Sequence, residues 1–150
     1  MSKKNVEIVR SIMEPLDRID GAAIDWEEAT LREMLGATYS PDIELQTLAS
    51  GTGTGLAERY RGLDGLVEYL RGWLEPFSEY HVETLDFIED GDRVLVPTHQ
   101  WGVGSASGAR VELDVTFAYE LRDGKITRMT QYETLEEARE GATDPGRSGA

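Results

Sequence analysis

The sequence contains no cysteine, which excludes disulfide scaffolds, thiol nucleophiles and thiolate metal sites. Histidine is almost as scarce. His81 and His99 are the whole complement, too few for a histidine-rich metal centre. Basic residues are outnumbered, with 15 lysines and arginines against 29 aspartates and glutamates and a net charge of −14. A field of that sign repels phosphate backbones and anionic lipid, so neither nucleic acid nor a membrane is an expected partner. Long apolar runs are missing too. Glu7 and Arg10 interrupt the stretch after Lys3 and Lys4, so no signal-peptide core is expected and the expectation is a cytoplasmic protein.

What remains is ordinary for a folded chain. Hydrophobic residues make up 39% and charged residues 29% of 150 residues, enough for one globular domain with a real core. The last residues, TDPGRSGA from Thr143, have almost nothing to bury. A domain over 1–141 and a flexible tail over 142–150 are therefore expected.

Periodicity orders the elements. Val6, Val9, Ile12, Met13, Leu16 and Ile19 recur at helical spacing, with Pro15 set to shorten the helix. Asp25 and Glu28 form a capping-box pattern before a short helix through Leu31, Met34 and Leu35. SPDIELQTLA (40–49) alternates as a strand. SGTGTGLAE (50–58) is a glycine loop; Gly51, Gly53 and Gly55 do not make GxGxxG, so a loop over a cavity rim is expected rather than a phosphate cradle. Asp64 is a candidate cap for a third helix with Leu66, Tyr69, Leu70, Trp73 and Leu74 on its apolar face, ended by Pro76. The period then changes to two. YHVETLDFIE (80–89), RVLVPTHQWGV (93–103), ARVELDVTFAYEL (109–121) and ITRMTQYE (126–133) read as strands joined by turns, with Asp123-Gly124 as a hairpin signal. Thr134 and Glu137 predict a final helix cap. Helices first and a strand meander last predict an α+β fold with helices on one face of a curved sheet, a usual setting for a ligand pocket.

Strand parity sorts the long strand. Val111, Leu113, Val115, Phe117, Tyr119 and Leu121 share an apolar face, which is expected to be the concave one; Glu112, Asp114 and Glu120 then point outward.

Three stretches, YRGLDGLVEYL (60–70), DGDRVLV (90–96) and LRDGKITRMTQYE (121–133), resemble in order and spacing the nuclear transport factor 2-like superfamily, in its SnoaL-like and ketosteroid-isomerase-like branch. The resemblance covers Asn5 to Gly141. It implies a cone-shaped, curved antiparallel sheet with the N-terminal helices on its concave face, a pocket between them, and a homodimer through the outer face of the sheet. The acid–base groups of ketosteroid isomerases are not matched. The base falls at Thr47, the helix tyrosine near Ile12 and the protonated aspartate at Phe117, so true ketosteroid isomerase activity is not expected.

Aligned on the same turns, the resemblance puts Leu95, Pro97, His99 and Trp101 on the concave face, together with Met129, Gln131 and Glu133. The candidate catalytic residues are therefore His99 and Glu133 as acid–base pair with Tyr119, and Gln131 beside Tyr119 as an oxyanion donor. Trp101, Phe117 and Met129 are candidate walls for a flat apolar ligand, with Tyr60 at the rim (as is Tyr39) and Thr47 also a candidate ligand contact. His99 and Glu133 offer two metal ligands at most, so no metal or cofactor is expected. Two functions fit: a cofactor-independent isomerase, cyclase or dehydratase acting on an apolar substrate, or a non-catalytic dimeric module that binds an apolar small molecule.

Overall fold

In the computed structural model, which describes residues 2–17, 19–20, 28–47 and 59–143, the helical spacing of Val9 and Met13 becomes α1 (Ser2–Met13). Pro15 lacks an N–H, and the chain tightens there into a 3-10 turn over Glu14–Asp17. Helix α2 spans Glu28–Leu35. Its expected cap Asp25 lies outside the described residues, as do the glycine loop at 51–55 and residues 144–150. The carbonyls of Gly36 and Ala37 just past α2 accept from Lys125 Nζ at 2.6 and 3.1 Å, a cation where the helix dipole favours one.

Among the described residues there are seven strands, two before the third helix and five after the change of period: β1 (Tyr39–Gln46), β2 (Arg59–Arg61), β3 (Phe77–Thr84), β4 (Ile88–Asp90), β5 (Arg93–Gly104), β6 (Arg110–Arg122) and β7 (Lys125–Tyr132). Two expectations change. The segment 80–89 is not one strand, because β3 stops at Thr84 and β4 begins at Ile88. Helix α3 (Gly62–Leu74) starts ahead of Asp64. Gly62, at φ 75°, makes the turn out of β2. Asp64 pairs with Arg32 of α2 at 3.1 Å instead of capping.

The sheet runs β2-β1-β7-β6-β5-β3, with β4 on β5. Among the described residues every strand pair is antiparallel but one: β1 lies parallel to β7, Leu45 beside Met129. Asp123 and Gly124, at φ 52° and 79°, form the tight turn between β6 and β7 that the Asp-Gly pair predicts.

The two faces are unlike. The inner face carries Tyr39, Ile43, Leu45, Tyr80, Val82, Val94, Val96, Val115, Phe117, Tyr119 and Met129 in one core with Val9 and Met13 of α1 and Leu66, Tyr69, Trp73 and Leu74 of α3. A smaller cluster on the outer face buries Leu95 and Ala118 beneath Ala138 of α4 (Leu135–Thr143). Thr134 caps that helix as its sequence predicts, its hydroxyl accepting from the Glu137 N–H at 3.1 Å; the Glu137 carboxylate in turn accepts from the Glu133 N–H at 3.2 Å. Arg93 clamps α4 from below, donating to the Ala138 carbonyl at 2.7 Å and pairing with Asp90 at 2.8 Å. Among the described residues, no helix is long and apolar enough to cross a membrane.

Candidate binding site on the inner face of the sheet

Cross-strand partners in an antiparallel pair share a face. On β5 and β6 the partners are Val94 with Tyr119, Val96 with Phe117 and Thr98 with Val115; His99 faces Asp114, and Trp101 faces Glu112. Phe117 and Tyr119 are inward, so Val94, Val96, Thr98 and Gln100 are inward with them. His99 and Trp101 stand on the outer face. This reverses their expected placement. β5 misleads because both of its sides are apolar: Val94 and Val96 enter the main core, while Leu95 is buried under α4.

Glu133 also leaves the interior. It lies past the end of β7 and is exposed. Trp101 is a covered ring rather than an open platform, with His81 stacked 3.8 Å away on one face and the Arg110 guanidinium 4.3 Å from its centroid. Of the expected cluster the structure keeps Tyr119, Phe117, Met129 and Gln131 together. Tyr119 and Met129 are register partners, as are Phe117 and Gln131. All four are buried. Thr47 is buried just beyond β1, and Tyr60 on β2 is half-buried with its ring 5.7 Å from Tyr69.

A second set of inner polar groups, whose polar atoms helical spacing does not reveal, lies on α3 and β3. Tyr69 and Trp73, four residues apart on α3, stack at 5.7 Å, and the ladder continues from Trp73 to Tyr80 at 5.3 Å and from Tyr80 to Phe77 at 4.9 Å. Their helical spacing was visible; what it hid was that three of these rings carry a polar atom. Gly102 belongs to the same wall, since a Cβ there would meet Phe77 Cδ1 at 3.0 Å and Tyr80 Cδ2 at 3.1 Å.

Hydrogen bonds divide the inner polar groups into two sets. On the β3 side the chain is closed. The Tyr80 hydroxyl donates to Gln100 Oε1 at 2.7 Å, Gln100 Nε2 donates to Thr98 Oγ1 at 2.9 Å, and Thr98 Oγ1 donates to the Val115 carbonyl at 2.6 Å. Burial pushes the Tyr80 hydroxyl up to about 12, against a hydrogen bond with Trp73 that lowers it. On the β7 side capacity is left. Tyr69 receives the Gln131 Nε2 proton at 2.6 Å and keeps its own proton to give. Tyr119 donates to Met13 Sδ at 3.5 Å, and a thioether is a weak acceptor. Burial drives the pKa of Tyr69, Tyr119 and Tyr39 upward, and for Tyr119 the neighbouring Tyr39 and Tyr69 push in the same direction. All three therefore stay protonated donors at neutral pH.

Among the described residues the buried polar side chains of the inner face other than tyrosine and tryptophan are Thr47, Thr98, Gln100 and Gln131, all neutral, and Thr116, on the outer face, is neutral too. Such a set can hold an oxygen atom and polarise it. It supplies no carboxylate or imidazole to take a proton from carbon.

Known proteins agree with this architecture. Residues 23–129 match the SnoaL-like domain family. No curated protein matches the chain. Among solved structures, a putative SnoaL-like polyketide cyclase from Jannaschia sp. CCS1 is 19% identical with a TM-score of 0.68, over 95% of this chain and 93% of that one. TerC, co-crystallised with polyporic acid, is 24% identical with a TM-score of 0.62, over 91% and 96%. An LEH-like epoxide hydrolase of M. tuberculosis is 18% identical with a TM-score of 0.61, over 93% and 89%. At these identities the likeness is one of fold, and the reaction has to be argued from the site. With the matched segment reaching from ahead of α2 into β7, the chain belongs to the SnoaL-like domain family of the nuclear transport factor 2-like superfamily.

Proposed function

We propose that the protein binds a flat, largely apolar small molecule against the inner face of the sheet, with Tyr69 and Tyr119 donating to a carbonyl or enol oxygen of that molecule. The observation that carries this reading is the Tyr119 hydroxyl, buried and resting on the Met13 sulfur at 3.5 Å. A ligand oxygen is a far better acceptor, and an exchange of partners inside a dry core strengthens the bond. Gln131 orients the second donor, Tyr69. Phe117, stacked on Tyr119 at 5.8 Å, and Trp73, stacked on Tyr69 at 5.7 Å, supply aromatic surface beside the two donors.

A second reading rests on the same pair. Two buried phenol donors that share one ligand oxygen would also stabilise an enolate, which supports a cofactor-independent isomerase or cyclase. Ligand holding is the better-supported of the two, because the described interior offers no general base.

Polyporic acid, the molecule crystallised with the structural neighbour TerC, is the first compound to try, followed by aromatic ketones and quinones. A saturating ligand raises the unfolding temperature, since only the native state binds it; at a hundredfold excess over Kd the gain is about 2.7 kcal/mol. Tyr69→Phe and Tyr119→Phe, which keep the rings, are expected to weaken binding about tenfold each. No shift across the panel, or unchanged affinity in the double Phe variant, ends this reading. Product analysis of the same mixtures separates turnover from binding.

A further inference from the structure

The outer face holds a titratable cluster with no part in the inner site. His99 Nδ1 lies 2.6 Å from Asp114 Oδ1, and Nε2 lies 3.5 Å from Glu112 Oε2, both on β6. From β3, Glu83 is the register partner of His99 on its other side. Arg110 of β6 pairs with Glu112 at 3.0 Å. His81 of β3, two residues from Glu83, is engaged elsewhere, with Nε2 2.7 Å from Glu79 and Nδ1 2.9 Å from the Asp17 carbonyl. On β5 itself, the residues from Val94 to Gly104 include no other titratable group. Among the described residues, one imidazole therefore contacts two carboxylates, Asp114 and Glu112, and shares its sheet face with Glu83 and with the Arg110 guanidinium.

The same rung is tied on the opposite side of the sheet. Thr98 and Gln100, which flank His99, carry the inner hydrogen-bond chain from Tyr80 to the Val115 carbonyl. We propose that His99 is a proton-controlled clamp between β5 and β6: charged, it neutralises Asp114 and Glu112 and holds the rung closed; neutral, it leaves Glu83, Glu112 and Asp114 repelling one another, and the strand pair under Thr98 and Gln100 loosens. The hydrogen bond to Asp114 is the main cause that raises the His99 pKa above its ordinary 6.5. The clamp is thus shut below that value and opens as pH rises through the raised one.

Nuclear magnetic resonance tests this without any ligand. The His99 ring is titrated from pH 5.5 to 8.5 while amide exchange protection is followed at His99, Gln100 and Val115. The His99 midpoint is expected above 6.5, and Asp114→Asn is expected to bring it back toward that value. Protection at this rung is expected to fall roughly two- to fivefold across the titration, the size an exposed ion pair can produce. Protection at Ala118 and Thr130, between β6 and β7, is expected not to follow. His99→Gln, at a partly exposed position, is expected to remove the step, and His81→Gln to retain it. A step that persists in His99→Gln, or a wild-type midpoint at or below the ordinary value, overturns the proposal.

Discussion

Thr98, His99 and Gln100 are consecutive on β5, yet they belong to two chemistries. Thr98 and Gln100 turn into an interior whose polar groups are all neutral and mostly spent on one another. His99 turns out to carboxylates and water. The contrast extends across the sheet. The inner face is a ladder of rings with hydroxyls at intervals, while the outer face at the β2 end is a ladder of alternating charge. There Glu44 accepts from Arg61 at 3.1 Å and from Arg128 at 3.2 Å, and Arg128 reaches Glu120 at 4.0 Å. A protein that carries 29 acidic residues keeps them out of its described interior. The inner face therefore presents neutral, aromatic surface, and the outer face presents charged side chains.

The comparison breaks most directly at its apolar end. Phe117→Ala removes a buried inner ring and is expected to cost about 3–5 kcal/mol in urea unfolding. Trp101→Ala, a larger truncation on the outer face, should cost roughly 1–2 kcal/mol, because much of what it loses is a half-buried stack on His81 and a cation–π contact. Equal losses at the two positions would erase the distinction. Next in size is Gln100→Leu. It strands the Tyr80 proton and opens the chain to Thr98, for an expected loss of about 1–3 kcal/mol, whereas Glu83→Gln on the outer face should stay within about 0.5 kcal/mol.

Smaller effects sharpen the outer face. The folded pKa of His99 is raised, so its contribution is complete below the ordinary 6.5 and is lost as pH climbs through the raised value. Glu112 runs the other way. Arg110 chiefly lowers its pKa below the ordinary 4.5, so its contribution is present above that value and lost in acid. Unfolding curves from pH 5.5 to 8.5 are expected to show a decline of no more than about 1 kcal/mol that disappears in His99→Gln. The smallest change is expected from Glu44→Gln, which releases both arginines. It should cost about 0.5 kcal/mol at low salt and almost nothing at 1 M, where screening already removes the pairs.

Where the sequence pattern was one-sided, it could be read. The outward turn of Asp114, the inward turn of Phe117 and Tyr119, and the Thr134 cap all follow from residues whose neighbours alternate cleanly or whose spacing is diagnostic. β5 resisted because α4 gives its outer face a small core of its own, so Leu95 looks as buried as Val94. Register decides the matter. His99 lies opposite Asp114, and any argument that turns Asp114 outward has already turned His99. Tyr69, Tyr80 and Gln100 were missed for another reason. Periodicity assigns a residue to a face but says nothing of which hydroxyl meets which amide across 20 or 62 positions of chain. β2 is three residues long, too short to show any period at all.

The parallel pairing of β1 with β7 also governs when this protein can fold. Leu45 waits for Met129, so a ribosome must finish nearly the whole domain before the middle of the sheet exists. β1 emerges early and can pair only with the brief β2. Until β7 arrives, the open side of β1 is without its partner strand, and closing so long a loop is slow. A nascent chain stalled before Lys125 would thus be a candidate for chaperone capture, and shortening this protein from its C-terminal side past β7 removes the strand that joins β1 to the rest of the sheet.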